Sequence, residues 1–319
     1  MPIRGQFENN SSHEEFTLLG LVTTPVLQKL LFILLSVIYI MTLIDNVMVI
    51  VIIQLDSHLH TPMYFFLLHL ALTDILYTIA VSPNTLRNLL VENKSISFAG
   101  CLMQMLIFIS LGGTECTLLG IMAYDRYVAI CHPLLYNTIM NQKVCIYLAM
   151  TCWAIGLLNS LVHTILTSRL TFCRDHYIQH YFCEISFILK LSCGETHVNE
   201  IMIFILGGGI IVNSLILTFV SYAFVIATVI RIPGKTAKYK TFSTCTSHIT
   251  VVSIYFGTVA FIYLRPVSQS SSDIDRVTSL VYGLLTPFLN PIIYTLRNQE
   301  FYRAFQNLRG VYCLSLRTK

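Results

Sequence analysis

The chain has 319 residues, of which 55% are hydrophobic and 11% charged, and its mean hydropathy is +0.69. A soluble domain carries about a quarter charged residues, so a large water-soluble globule is excluded. The net charge of +4 is too small to imply a nucleic-acid partner.

Residues 1–25 are polar and read as an extracellular N-terminal segment, with overlapping glycosylation sequons at Asn9 and Asn10. They lack the short apolar core of a signal peptide, so the first apolar run is expected to act as signal and anchor together. A bilayer core takes about 20 apolar residues as helix. Seven runs qualify: 26–54, 62–83, 98–124, 144–166, 200–230, 241–264 and 276–296. They make 26–297 a seven-transmembrane domain. The second run is the weakest, because Asp74 interrupts it. A third sequon, at Asn93, follows it.

Most of the ten cysteines lie inside apolar runs, but Cys173, Cys183 and Cys193 share the polar loop after the fourth run. That placement suits a loop facing an oxidising compartment. Within it, Cys173, His176, His180 and Cys183 have a metal-like spacing. Oxidised cysteines cannot be thiolate ligands, so no metal is assigned there. Residues 298–309 set Phe301, Phe305 and Leu308 among polar neighbours, which predicts a short amphipathic helix on the membrane opening a cytoplasmic tail, 298–319. No segment shows the period-two alternation of a membrane barrel. The expected fold is an all-α membrane protein, a seven-transmembrane helix bundle.

Seven spans put the termini on opposite sides. With the N-terminus outside, the inner side holds 11 of the 20 basic residues, and the 231–240 loop carries four of them with no acid. The three sequons and the cysteine-rich loop then all fall outside, which supports the same orientation.

Four strings, "LHTPMYFFL" (59–67), "MAYDRYVAIC" (122–131), "KTFSTCTSH" (240–248) and "PFLNPIIYTLRN" (287–298), occur in this order. With them the chain resembles the rhodopsin-like G-protein-coupled receptors, and more closely the olfactory (odorant) receptors, from Phe16 to about Arg309. The resemblance implies a plasma-membrane, multi-pass receptor that is not an enzyme. It implies an odorant as ligand and a heterotrimeric G protein of the stimulatory olfactory type, acting through cAMP, as partner. It assigns the switch and G-protein face to Asp125, Arg126, Tyr127, Tyr222, Lys240, Asn290, Pro291 and Tyr294. In this reading Asp125 holds Arg126 at rest and releases it on activation. A pair at the hydrocarbon edge is partly desolvated, so its attraction exceeds that in water, yet ligand energy can break it. Lys235, Lys238, Lys240 and Arg303 would face the G protein or anionic lipid headgroups.

The resemblance also implies a Cys101–Cys183 disulfide and a second one between Cys173 and Cys193; from sequence alone Cys101–Cys193 stays open. It places Asp74 and Glu115 face to face at a small polar site, with Asn46 and Asn290 near. Two readings stand level there: a site sharing a proton or a sodium ion, and a hydrogen-bonded cluster tying helices together. No other cofactor is expected. Asp45 stands where relatives carry Gly, and Tyr255-Phe256-Gly257 inverts the order Phe-Tyr-Gly frequent in relatives.

The ligand residues implied are Phe108, Ile109, Gly112, Gly113 and Cys116 on the third span, Asn159 and His163 on the fourth, Gly207 on the fifth, and Phe256, Val259, Ala260 and Tyr263 on the sixth. Together they fit an apolar cavity with one or two hydrogen-bonding groups, suited to a small volatile molecule; position by position, helix packing is the competing explanation. Phe108 stands where amine receptors carry Asp, and span 276–296 has no Lys for a retinal Schiff base. The competing function is an ion-conducting or transport protein using Asp45, Asp74 and Glu115, but the internal repeats of that class are missing from the sequence. Neither HExxH nor GxSxG is present to suggest a membrane enzyme.

Overall fold

The computed structural model describes residues 15–22, 24–91, 94–172, 177–263, 272–296 and 301–307, without the side chains of 235–237, 239–244, 260, 262–263, 272–273, 275 and 296. Helix α1 is Pro25–Leu55, α2 Pro62–Leu90, α3 Phe98–Cys131 and α4 Gln142–Ser168. α5 covers His197–Arg231 with a π-helical turn at Ile203–Gly207. α6 is Lys235–Tyr263. α7 joins Ser272–Leu280, a π-helical turn Val281–Leu285, and Thr286–Leu296. A short helix follows at 301–307.

Among the described residues, six helices are long and apolar enough to cross a bilayer, and α6 adds a shorter apolar section, Cys245–Val259. The molecule is a seven-helix membrane bundle. Proline opens α1 and α2, where the missing N–H would be unpaired anyway. Ser97 Oγ accepts from Gly100 N to cap α3, and Asn141 Oδ1 accepts from Val144 N to cap α4. α2 runs to Leu90, beyond the expected end at 83, and α3 runs to Cys131, beyond 124. Hydropathy marks only the stretch inside hydrocarbon, and the helices continue past it. Asp74 does not interrupt α2, because its side chain is buried against the bundle and not in lipid.

Helix α3 is the axis of the bundle: 67% of its apolar window is buried, against 11% for α5. It meets α4 at two glycines. A Cβ built on Gly113 would lie 3.1 Å from Gly156 Cα, and one on Gly156 would collide with the Ser110 carbonyl oxygen and Thr114 Oγ1. Small residues allow this approach where lipid offers no hydrophobic drive. The outward faces are apolar, as with Ile33 and Val37 on α1 and Phe204 and Phe219 on α5.

One element departs from the all-helical expectation. Strands β1 (Glu15–Leu18), β2 (Ser95–Ser97) and β3 (Tyr177–Ile178) form a sheet in the order β2-β1-β3, antiparallel to β2 and parallel to β3. At two to four residues the strands are too short to leave a readable alternation. Phe16 of β1 is fully buried against Phe98 and Phe172. The sheet fastens the N-terminal segment to two outer loops.

Candidate functional site

The outer loop before α5 is the roof of the site. Cys183 is bonded to Cys101 at the start of α3, and the Cys183 N–H donates to Gln104 Oε1. Cys193 is disulfide-bonded; Cys173, its implied partner, lies outside the described residues. His180 is fully buried, with Nε2 3.3 Å from Glu184 Oε2 and its ring against Tyr181, Phe182 and Phe187. Burial, then the nearby Arg276 charge, push the imidazole down to about 3. The ring is therefore neutral at physiological pH, and its contact with Glu184 is polar without being an ion pair.

Below the roof lies a cavity of about 830 Å³. Phe108, Ile109, Gly112, Gly113 and Cys116 of α3 form one wall, Asn159 and His163 of α4 another, and Gly207 of α5, with Gly208 and Gly209, a third. A Cβ on any of those three α5 glycines would meet nothing within 4 Å. Phe108 anchors an aromatic cluster under the roof, with Tyr77 at 4.8 Å, Phe182 at 4.5 Å and Tyr282 at 5.7 Å between ring centres.

On α6 the expected face needs correction. Tyr255 and Val259 line the cavity, whereas Phe256 is buried in the core beside them. The Tyr255 hydroxyl donates to the Gly112 carbonyl at 2.7 Å, which turns Tyr255 toward α3 and Phe256 away. The side chains of Ala260 and Tyr263 lie outside the described residues, as do Asn9, Asn10 and Asn93 and the side chain of Lys240.

Deeper in the bundle, Asn290 Nδ2 donates to both carboxylate oxygens of Asp74, at 3.1 and 3.0 Å, and reaches Glu115 Oε1 at 3.3 Å. All three residues are buried. Asn290 Oδ1 has no hydrogen-bond partner. The two carboxylates are hard oxygen donors of the kind a hard cation takes, and Asn290 would join them by turning Oδ1 in place of Nδ2. Asn46 stands apart from it: its Nδ2 donates to the Thr42 and Pro287 carbonyls and ties α1 to α7. Asp45 makes no hydrogen bond or ion pair among the described residues and is only half-buried on α1.

At the cytoplasmic end Arg126 Nη2 donates to Asp125 Oδ2 at 3.1 Å. Tyr136, in the loop after α3, donates its hydroxyl to Asp125 Oδ1 at 2.8 Å. Burial, then the Asp125 charge, hold that phenol well above its ordinary value, so it remains a donor. Tyr127 points elsewhere, bonding His132 and packing on Phe224. Tyr222 on α5 meets His248 on α6 at 2.7 Å, and His248 faces the Tyr294 ring of α7. Pro291 is inside α7, one residue past Asn290.

Sequence reasoning missed Tyr77, Glu184, Lys190, Tyr255 and Tyr282 as lining residues and Tyr136 and His248 as switch neighbours. The inverted Tyr255-Phe256 order drew attention to this part of α6 without saying which ring enters the cavity. The loop residues left no signal, since a disulfide and a sheet set their position.

A family model described as "Olfactory receptor" matches residues 35–309. The chain is 43% identical over 303 residues to "Olfactory receptor 5AR1" of Mus musculus, covering 95% of this chain and 98% of that relative. It is 46% identical over 292 residues to "Olfactory receptor 2A25" of Homo sapiens, covering 92% and 94%. It is 45% identical over 300 residues to "Olfactory receptor-like protein COR5" of Gallus gallus, covering 94% and 96%.

Proposed function

The chain belongs to the olfactory receptor family, and from that premise we propose that a small, mostly apolar volatile in the cavity activates a stimulatory, olfactory-type G protein and raises cAMP. It is a multi-pass membrane receptor, not an enzyme, and takes an odorant and a G protein as partners in the general sense of its family. One observation carries the finer reading: the cavity touches α6 through Tyr255 and Val259, and Tyr255 is bonded across to α3 at Gly112. A guest between these helices acts on the contact that relates them. It shifts the equilibrium by as much as it prefers one arrangement over the other.

α3 carries that contact near its middle and the Asp125–Arg126 pair near its cytoplasmic end. In the proposed active arrangement α6 moves outward, the Tyr222–His248 bond opens, and Arg126 leaves Asp125 for the G protein. Asp74, Glu115 and Asn290 are the residues that would hold a sodium ion, which would supply positive charge to offset the two carboxylates. The test is cAMP in cells co-expressing the chain and an olfactory-type stimulatory G protein, across a panel of volatile organics. Arg126→Ala at equal surface level is expected to abolish the response. A response that survives it sinks the switch assignment.

A further inference from the structure

We propose that the Asn159–His163 edge of α4 is the polar anchor of the cavity and that its ligand is a neutral alcohol with an otherwise apolar body. This rests on the receptor reading above and deepens it. Asn159 is 8% and His163 3% exposed, and both line the cavity. Four residues apart on one helix, they share a face. Asn159 Oδ1 and His163 Nδ1 are buried and each lacks a hydrogen-bond partner. Buried polar atoms are nearly always paired. Both atoms lie just behind the cavity surface, out of reach of water, so a guest completes their bonding as the two side chains turn toward it.

The surroundings narrow the choice. The wall facing them on α3 and α5 is apolar, with Ile109, Ile210 and Ile211. Tyr255 has its hydroxyl on Gly112 O, and Glu184 has its carboxylate against His180 and Ser279 in the roof. The charged lining residues Lys190 and Glu200 belong to the roof loop and the first turn of α5, at the outer end. A charged ligand seated at Asn159 would therefore lose its hydration without meeting a counter-charge at that depth, which is costly.

The atoms select the chemistry. An amide oxygen only accepts, so the guest must donate. A hydroxyl donates to Asn159 Oδ1 and still accepts from an amide or imidazole N–H. An ether, ester or aldehyde accepts only and leaves Oδ1 unpaired. Sites built to bond a hydroxyl discriminate strongly against the analogue lacking it, because their own buried groups go unpaired.

The test uses the full-length receptor in lipid nanodiscs and reads ligand affinity from the shift in thermal unfolding. The probes are the straight-chain alcohols from pentanol to decanol, each beside the methyl ether and the aldehyde of equal heavy-atom count. At least one alcohol is expected to bind about tenfold or more tightly than its ether. Asn159→Leu and His163→Phe, each made singly, are expected to bring that ratio close to one. Equal affinity of alcohol and ether throughout, no binding by any alcohol, or a preference that survives both substitutions overturns the proposal. The wild-type comparison alone decides it should both variants misfold. Cellular cAMP reads the receptor function separately. Alcohol binding without any cAMP sinks that reading and leaves the anchor, and cAMP evoked by other odorants alone does the reverse.

Discussion

At the scale of single residues, the proposed resting switch has two donors on one carboxylate. Arg126 and Tyr136 take separate oxygens of Asp125, which is 1% exposed. A hydrogen bond to a charged group contributes about 1.5–3 kcal/mol. Tyr136→Phe removes one donor and leaves the ring packing. Basal cAMP is therefore expected to rise several-fold at matched surface expression. An unchanged basal level would mean that Arg126 alone sets the resting state. The resemblance pointed to Asp125 and Arg126 from a contiguous string, but Tyr136 is separated from them by a turn whose path no short motif encodes. His248 ends the 240–248 string, but its pairing with Tyr222 is set by how α5 and α6 pack, which the string does not encode. Asp74 and Glu115 were legible, because a carboxylate inside an apolar run is conspicuous wherever the helix turns.

At the scale of elements, the bundle was readable because length and apolarity fix a membrane helix almost alone. Rotation of each helix was less readable. Residues 255 and 256 are adjacent, and spacing cannot say which enters a cavity when both are aromatic; the Tyr255–Gly112 bond decides it. Close approach of α3 and α4 was likewise hard to read, since nothing in the sequence marks Gly113, among the four glycines of α3, as the one that faces Gly156. Its consequence is measurable. Gly156→Ala places a methyl group against Ser110 O and Thr114 Oγ1, which must move apart. Overpacking of this kind costs about 1–3 kcal/mol. Surface expression and thermal stability are expected to fall, whereas Gly112→Ala, with nothing within 4 Å of the new atom, should leave both near wild type.

At the scale of the whole molecule, the outer loop is tied to α3 by a disulfide and to the N-terminal strand by the sheet, and it packs around a buried neutral imidazole. His180 has an ordinary value of 6.5 when unfolded and one near 3 when folded. The unfolded chain thus binds a proton that the folded chain refuses. Stability from this residue is complete above about 6.5 and falls as pH drops toward 3, by about 1.4 kcal/mol per unit. The unfolding midpoint of the purified receptor is expected to decline from pH 7.5 to pH 5, and His180→Gln to flatten that slope. A slope unchanged in the variant would assign the acid sensitivity elsewhere. Glu184 and Arg276 face the same ring and are kept in the comparison.

The three glycines of α5 have room around them that Gly156 lacks. Glycine is the poorest ordinary helix former, and alanine in its place gains up to about 1 kcal/mol. Adding a methyl group at 207, 208 or 209 therefore asks nothing of the scaffold, and where it points inward it takes volume from the cavity. Duplicated copies of such a gene can drift in what they detect through single substitutions, each of which still yields a folded protein. Chemical range and structural integrity are inherited separately here, and a large repertoire can diverge along that wall without losing its members to misfolding.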